Sequence, residues 1–171
     1  MQSKLRGRPA TGGRTCLMPR LGMPSALTRA ILLAAIGNPE SAMNRSQDWW
    51  EQSLRDLRHA RNALHDTDFE WSAFAAQQCA EKAVKALIIA RGGEPWGHLV
   101  TGLLEDLPEG ITAPPVVMEA GNRLDKHYIP ARYPSGFVQS YPGKLYTRGE
   151  AEGAISDAEK ISEFCRRYLS G

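Results

Sequence analysis

The sequence predicts an all-α chain, folded as an antiparallel four- to five-helix bundle. Three observations predict it. The run from Phe74 to Leu87 is dominated by Ala, Glu, Lys and Leu. It sorts Ala80, Val84, Leu87 and Ile88 to one side and Gln78, Glu81, Lys82 and Lys85 to another. Four further segments repeat an apolar stripe at helical spacing between capping or breaking residues. No stretch shows the period-two alternation of a half-buried strand.

The first helix reads as about 46–65, with Asn44 as its cap, Gln47 three residues on, and Trp50, Leu54, Leu57 and Leu64 on its inner face. It ends near His65-Asp66-Thr67, and Asp68 is the expected cap of a second helix over 69–91, stopped by Gly92-Gly93. A short third helix spans about Leu99 to Leu107 before Pro108 and Gly110. Pro114-Pro115 opens the fourth, whose stripe is Val117, Ala120, Leu124 and Tyr128 up to Pro130. From Ile129 to Tyr146 three prolines and two glycines leave no period, so this stretch reads as an aromatic loop. Thr147 and Glu150 form a capping box for the last helix, which carries Ala151, Ile155, Ala158, Ile161, Cys165 and Tyr168 inward to about Leu169.

A chain of 171 residues is long enough for one domain with a real core. Charge is uneven along it. Residues 1–42 carry +5 against +2 for the whole, which leaves 43–171 at −3. A mildly acidic domain excludes a generic electrostatic grip on nucleic acid but leaves room for a local basic site. Residues 1–42, rich in Gly, Pro, Arg and Ser, read as a disordered or mis-assigned extension ahead of a helical domain over 43–171. Pro39 and Glu40 follow the apolar run Ala30 to Ile36, where a secretory cleavage site needs small residues. That run is too short to span a bilayer. Cys16, Cys79 and Cys165 lie far apart, without a CxxC pair or metal-ligand spacing. The expectation is a cytoplasmic protein without disulfide, metal or cofactor, in which Cys79 and Cys165 are small buried hydrophobes.

Candidate functional residues cluster late in the chain. Arg123 and His127 share a helix face at i and i+4. A guanidinium beside an imidazole suits attack by a ribose hydroxyl with stabilisation of the developing charge, although both also read as partly solvated neighbours of the apolar stripe. Arg132 stands among Tyr133, Phe137, Tyr141 and Tyr146, rings that either stack a base beside a phosphate contact or fold back as core. Tyr128 precedes that loop. Lys82 and Lys85 with Glu81 read either as a functional polar patch or as a solvated face. His98, two residues past Trp96, stands where a helix start can hold an anion or where the ring simply caps and packs. No phosphate loop or nucleophilic triad is present.

Several separated segments resemble the HEPN domain family. The run of residues 76–87 is similar to its signature helix, Trp50 with Leu54-Arg55-Asp56-Leu57 to its first helix, and His98 with Leu103-Leu104 to its short third helix. Leu124 to Pro134, ending in Arg132-Tyr133-Pro134, is similar to the stretch leading into its Arg-Tyr-Pro loop. The resemblance covers about residues 44–169. It implies a helical bundle that often dimerises, binds nucleotide or RNA, and is often paired with a small nucleotidyltransferase in a toxin–antitoxin arrangement. Many members are metal-independent ribonucleases with four to six residues between an Arg and a His. Here three separate Arg123 from His127, while Arg58 with His65 and Arg91 with His98 have the spacing too early in the domain. The sequence therefore carries three readings: a nucleotide- or RNA-binding module, an endoribonuclease using Arg123 and His127 across a homodimer, and a bundle that contacts protein alone.

Overall fold

A computed structural model describes the backbone of residues 39–170 and the side chains of residues 45–170. The readings of residues 1–38, Cys16 included, fall outside them. Among the described residues six α-helices follow one another: α1 (Pro39–His65), α2 (Phe69–Ala90), α3 (Val100–Glu105), α4 (Pro115–Asp125), α5 (Pro142–Leu145) and α6 (Arg148–Leu169), with a 3-10 turn at Pro134–Gly136. No strand occurs among the described residues.

Helix α2 is the centre of the bundle. Fourteen of its 22 residues are buried, because alanine lets neighbouring helices approach on more than one side. Ala73, Ala76, Ala80 and Ala83 are fully enclosed. Helix α1 lies antiparallel to it. The Ser46 hydroxyl donates to the Ala86 carbonyl and the Ser72 hydroxyl to the Ala60 carbonyl, both at 2.8 Å, fastening the pair near each end. Thr67, at φ 67°, turns the chain between them. Helix α6 runs parallel to α2: Arg148 sits over the Phe69 ring at one end, Cys79 and Ser162 meet at 3.3 Å midway, and Arg91 donates to the Tyr168 carbonyl at the other. Helix α4 packs on α6, and α3 on α4. Asp125 ties that last pair, accepting from the Val100 amide at 2.6 Å and from both the amide and hydroxyl of Thr101. The shared core includes Leu57, Val84, Leu87, Leu103, Leu124, Ile161 and Phe164.

The all-α bundle matches the sequence expectation, with local differences. Helix α1 begins at Pro39 rather than 46, so Asn44 lies within it and is not its cap. Leu54 is 40% exposed, and the inner face of α1 is Ser53, Leu57, Ala60 and Ala63 instead. Small residues won that face because α2 approaches closely. Asp68 holds the N-cap position of α2, but its side chain makes no capping bond. Helix α4 ends at Asp125, five residues before Pro130, so Tyr128 sits in the turns that follow. The aromatic loop carries α5 and the 3-10 turn rather than wholly irregular chain. At Thr147 both halves of the capping box form. Cys79 and Cys165 are buried, and desolvation pushes the Cys79 thiol up to about 11 and Cys165 higher still, so both stay inert thiols.

Candidate functional site

Burial of α2 extends to its polar residues. Gln77, Glu81 and Lys85 recur every four residues and are 0%, 4% and 7% exposed. They form an enclosed ladder, not a solvated face. Glu81 is its hub: it accepts from Lys85 at 2.9 Å and Gln78 at 2.9 Å, and its Oε1 lies 3.1 Å from Nδ1 of His98. Gln77 donates to the His98 carbonyl at 2.9 Å, so the α2–α3 connection is pinned to the same helix. Lys85 also lies 5.4 Å from the Trp49 ring centre. Lys82 leans the other way, to Asp56 at 2.6 Å and Gln78 at 2.9 Å. Both lysines are thus paired with carboxylates, and each lines the edge of a cleft.

His98 leads outward from this ladder. Its ring stacks on Tyr128, with centres 5.1 Å apart and planes 14° from parallel. The Arg132 guanidinium lies 4.6 Å from the Tyr128 ring centre, 4.7 Å from Phe74 and 5.1 Å from Tyr133, and its Nε donates to the Tyr128 carbonyl at 2.8 Å. The fold therefore joins Lys85, His98, Tyr128, Arg132 and Tyr133 into one continuous polar and aromatic surface, supported from beneath by Glu81. Tyr133 is 48% exposed, leaving much of one ring open. Tyr141, exposed as well, is not among the rings around Arg132, and Tyr146 packs on His127. The rings that meet Arg132 come from α2 (Phe74) and the turns after α4 (Tyr128) as well as from the loop (Tyr133). Sequence reasoning passed over Phe74, Gln77 and the hub role of Glu81; their spacing of Gln77, Glu81 and Lys85 at four residues was the available signal.

Arg123 and His127 stand elsewhere, at a cavity of about 420 Å³ that they line with Lys126, Glu150, Asp157 and Lys160. His127 follows the end of α4, so the pair is not set on one regular helix face. Arg123 grips Asp157 with two bonds, at 2.6 and 2.9 Å, and Lys160 reaches the same carboxylate at 2.9 Å. Nδ1 of His127 lies 3.1 Å from the Tyr146 hydroxyl. Burial lowers the His127 pKa despite the carboxylates of Glu150 and Asp157, which oppose it. The ring is therefore neutral near pH 7. Burial likewise pushes Tyr146 up to about 12, keeping it a phenol. Among the described residues no group of three or more His, Cys, Asp and Glu side chains could hold a metal ion, and no helix is long and apolar enough to cross a membrane.

A helical bundle built around one enclosed helix, with a buried polar ladder opening onto a cation–aromatic surface, is the class of molecule these features define. The family model described as HEPN domain matches residues 46–168, and the chain belongs to that family. It is 28% identical over 128 residues to the Methanocaldococcus jannaschii protein named "Putative toxin MJ1304", covering 70% of this chain and 84% of that one. Solved structures agree. The Thermus thermophilus protein TT1696 is 46% identical with a TM-score of 0.72, covering 73% of this chain and 98% of its own. An archaeal HEPN homologue is 35% identical with a TM-score of 0.63, covering 72% and 97%. An HEPN domain protein from Thermotoga maritima is 33% identical with a TM-score of 0.59, covering 72% and 98%.

Proposed function

We propose that this HEPN protein is a nucleotide- or RNA-binding module of a toxin–antitoxin-like pair, acting as a cytoplasmic homodimer beside a small nucleotidyltransferase. The relative named as a toxin supports the pairing. One observation carries the binding: Arg132 is held against three rings while the Tyr133 ring stays half open beside it. A guanidinium next to an open aromatic face contacts phosphate and stacks a base at once. Titration with adenosine monophosphate and a short single-stranded RNA tests this. Arg132→Ala is expected to weaken both about tenfold, the loss of one charge-assisted contact, with the helical content unchanged. Absence of binding by the intact protein at millimolar ligand defeats the reading and favours a bundle that contacts protein alone.

A second reading rests on the other cavity. The neutral His127 imidazole and the Arg123 guanidinium line one space, which is the pairing a metal-independent ribonuclease needs. Arg123 is already clamped by Asp157, so this reading requires that clamp to open or to be shared with a phosphate. The purified protein should then cleave mixed-sequence RNA at pH 7 in EDTA, and His127→Ala should not. Cleavage absent from both, or equal in both, removes His127 from catalysis.

A further inference from the structure

Trp96 is 91% exposed, the most open aromatic side chain described. Leaving a whole indole in water forgoes one of the largest hydrophobic gains a side chain can make, yet its backbone is held on both sides. Pro95 restricts the chain before it, and Gly97 at φ 92° turns the chain after it, a conformation that favours glycine. Two clefts flank the indole. One, of about 300 Å³, is lined by Lys85, Pro95, Trp96, Gly97 and His98. The other, of about 310 Å³, includes Arg91, Glu94 and Asp106. Lys85 lines the first, its ammonium paired with Glu81 at 2.9 Å and its side chain 9% exposed.

His98 supplies the polar recognition in that cleft. The Glu81 carboxylate can only accept, so the proton of a neutral His98 ring sits on Nδ1 and Nε2 is left as an acceptor. Among the described residues Nε2 has no hydrogen-bond partner, and the side chain is 60% exposed. A ribose hydroxyl is a donor that fits it. His98 also stacks on Tyr128, which in turn carries Arg132. The cleft is therefore continuous with the surface already described.

We infer that the Lys85–Trp96–His98 cleft is a second nucleotide subsite for single-stranded RNA, its base on the Trp96 indole and its 2′-hydroxyl donating to His98. The inference rests on the binding function proposed above and extends it from one nucleotide to at least two. The Arg132 surface takes the first nucleotide, and Trp96 acts only on a longer ligand.

Binding of adenosine monophosphate, a ribotrinucleotide and the matching deoxytrinucleotide to the full chain, with Trp96→Ala, Trp96→Phe, His98→Ala and Arg132→Ala variants, separates the two ideas. Trp96→Ala should weaken trinucleotide binding about tenfold, the loss of one stacked base, and leave the mononucleotide unchanged. Trp96→Phe should recover most of that loss. The ribose preference of the wild type should vanish in His98→Ala. Melting midpoints of the Trp96 variants should match the wild type, since the indole faces solvent. Trinucleotide binding that is unaffected by Trp96→Ala but weakened by Arg132→Ala overturns the subsite and leaves the proposed function standing. Equal ribo and deoxy affinity in the wild type overturns the His98 contact. A changed oligomeric state in Trp96→Ala with unchanged RNA affinity makes the indole a protein contact and likewise overturns it. No binding of any of the three ligands defeats the proposed function itself.

Discussion

Asp157 is 5% exposed at its side chain and receives two cations, Arg123 from α4 and Lys160 from its own helix. Burial alone would raise its pKa, but the hydrogen bonds from Arg123 and Lys160 outweigh burial and hold the carboxyl below its ordinary value. A depressed carboxylate adds stability that is complete above the unfolded pKa, about 3.9 for Asp, and is lost as pH falls through the folded one. Asp157→Ala removes the only acid in this three-way contact. Breaking a fully buried pair costs about 3–5 kcal/mol, but Arg123 and Lys160 are 48% and 45% exposed and rehydrate. The expected loss is therefore about 1–2 kcal/mol at pH 7. Urea midpoints of wild type and variant should converge as pH drops below the ordinary carboxylate range. A gap that persists in acid would show that the clamp owes its strength to packing and not to charge.

At the scale of the element, α1 starts at Pro39, upstream of Met43. Among the described side chains the first buried is Ser46, whose hydroxyl fastens α1 to α2. The part of α1 that precedes Met43 is a single turn, and one terminal turn contributes little when packing supplies most helical stability. Expression from Met43 should give a protein whose melting midpoint lies within a few degrees of the full chain. A fall of many degrees would show that residues 1–42 pack on the domain. The same helix shows where periodicity misleads. Leu54 fits an apolar stripe with Leu57, yet Ser53 and Ala60 face α2, because the serine hydroxyl satisfies itself on the Trp50 carbonyl at 2.7 Å and the small side chain permits close approach. Of the three expected caps, Thr147 with Glu150 does what its spacing requires, while Asn44 lies inside α1 and Asp68 makes no capping bond.

For the molecule as a whole, the helices could be read from the chain because each is a local pattern of caps, breakers and stripes. The site was legible only in its ingredients. Lys82, Lys85, His98, Tyr128, Arg132 and Tyr133 all stood out as residue types suited to binding. That five of them converge on one surface follows from α3 docking against α4 through Asp125 and from Glu81 reaching His98, contacts between residues up to 25 positions apart. The partner of Arg123 was illegible for the same reason. The Arg123 guanidinium finds a carboxylate 34 positions away, which no local spacing announces.

The enclosure of α2 has a consequence for the order in which the chain can fold. Helices α1 and α2 are neighbours in sequence and can pair as soon as both have left the ribosome. The opposite side of α2, around Cys79, is covered by Ser162 and its neighbours on α6, the last of the described helices in chain order. Until residues 148–169 emerge, that side of the α1–α2 hairpin stays open to solvent and to other chains. Closure of the bundle thus waits for α6 by geometry, and a chain truncated before α6 yields an unfinished, adhesive hairpin instead of a smaller stable domain.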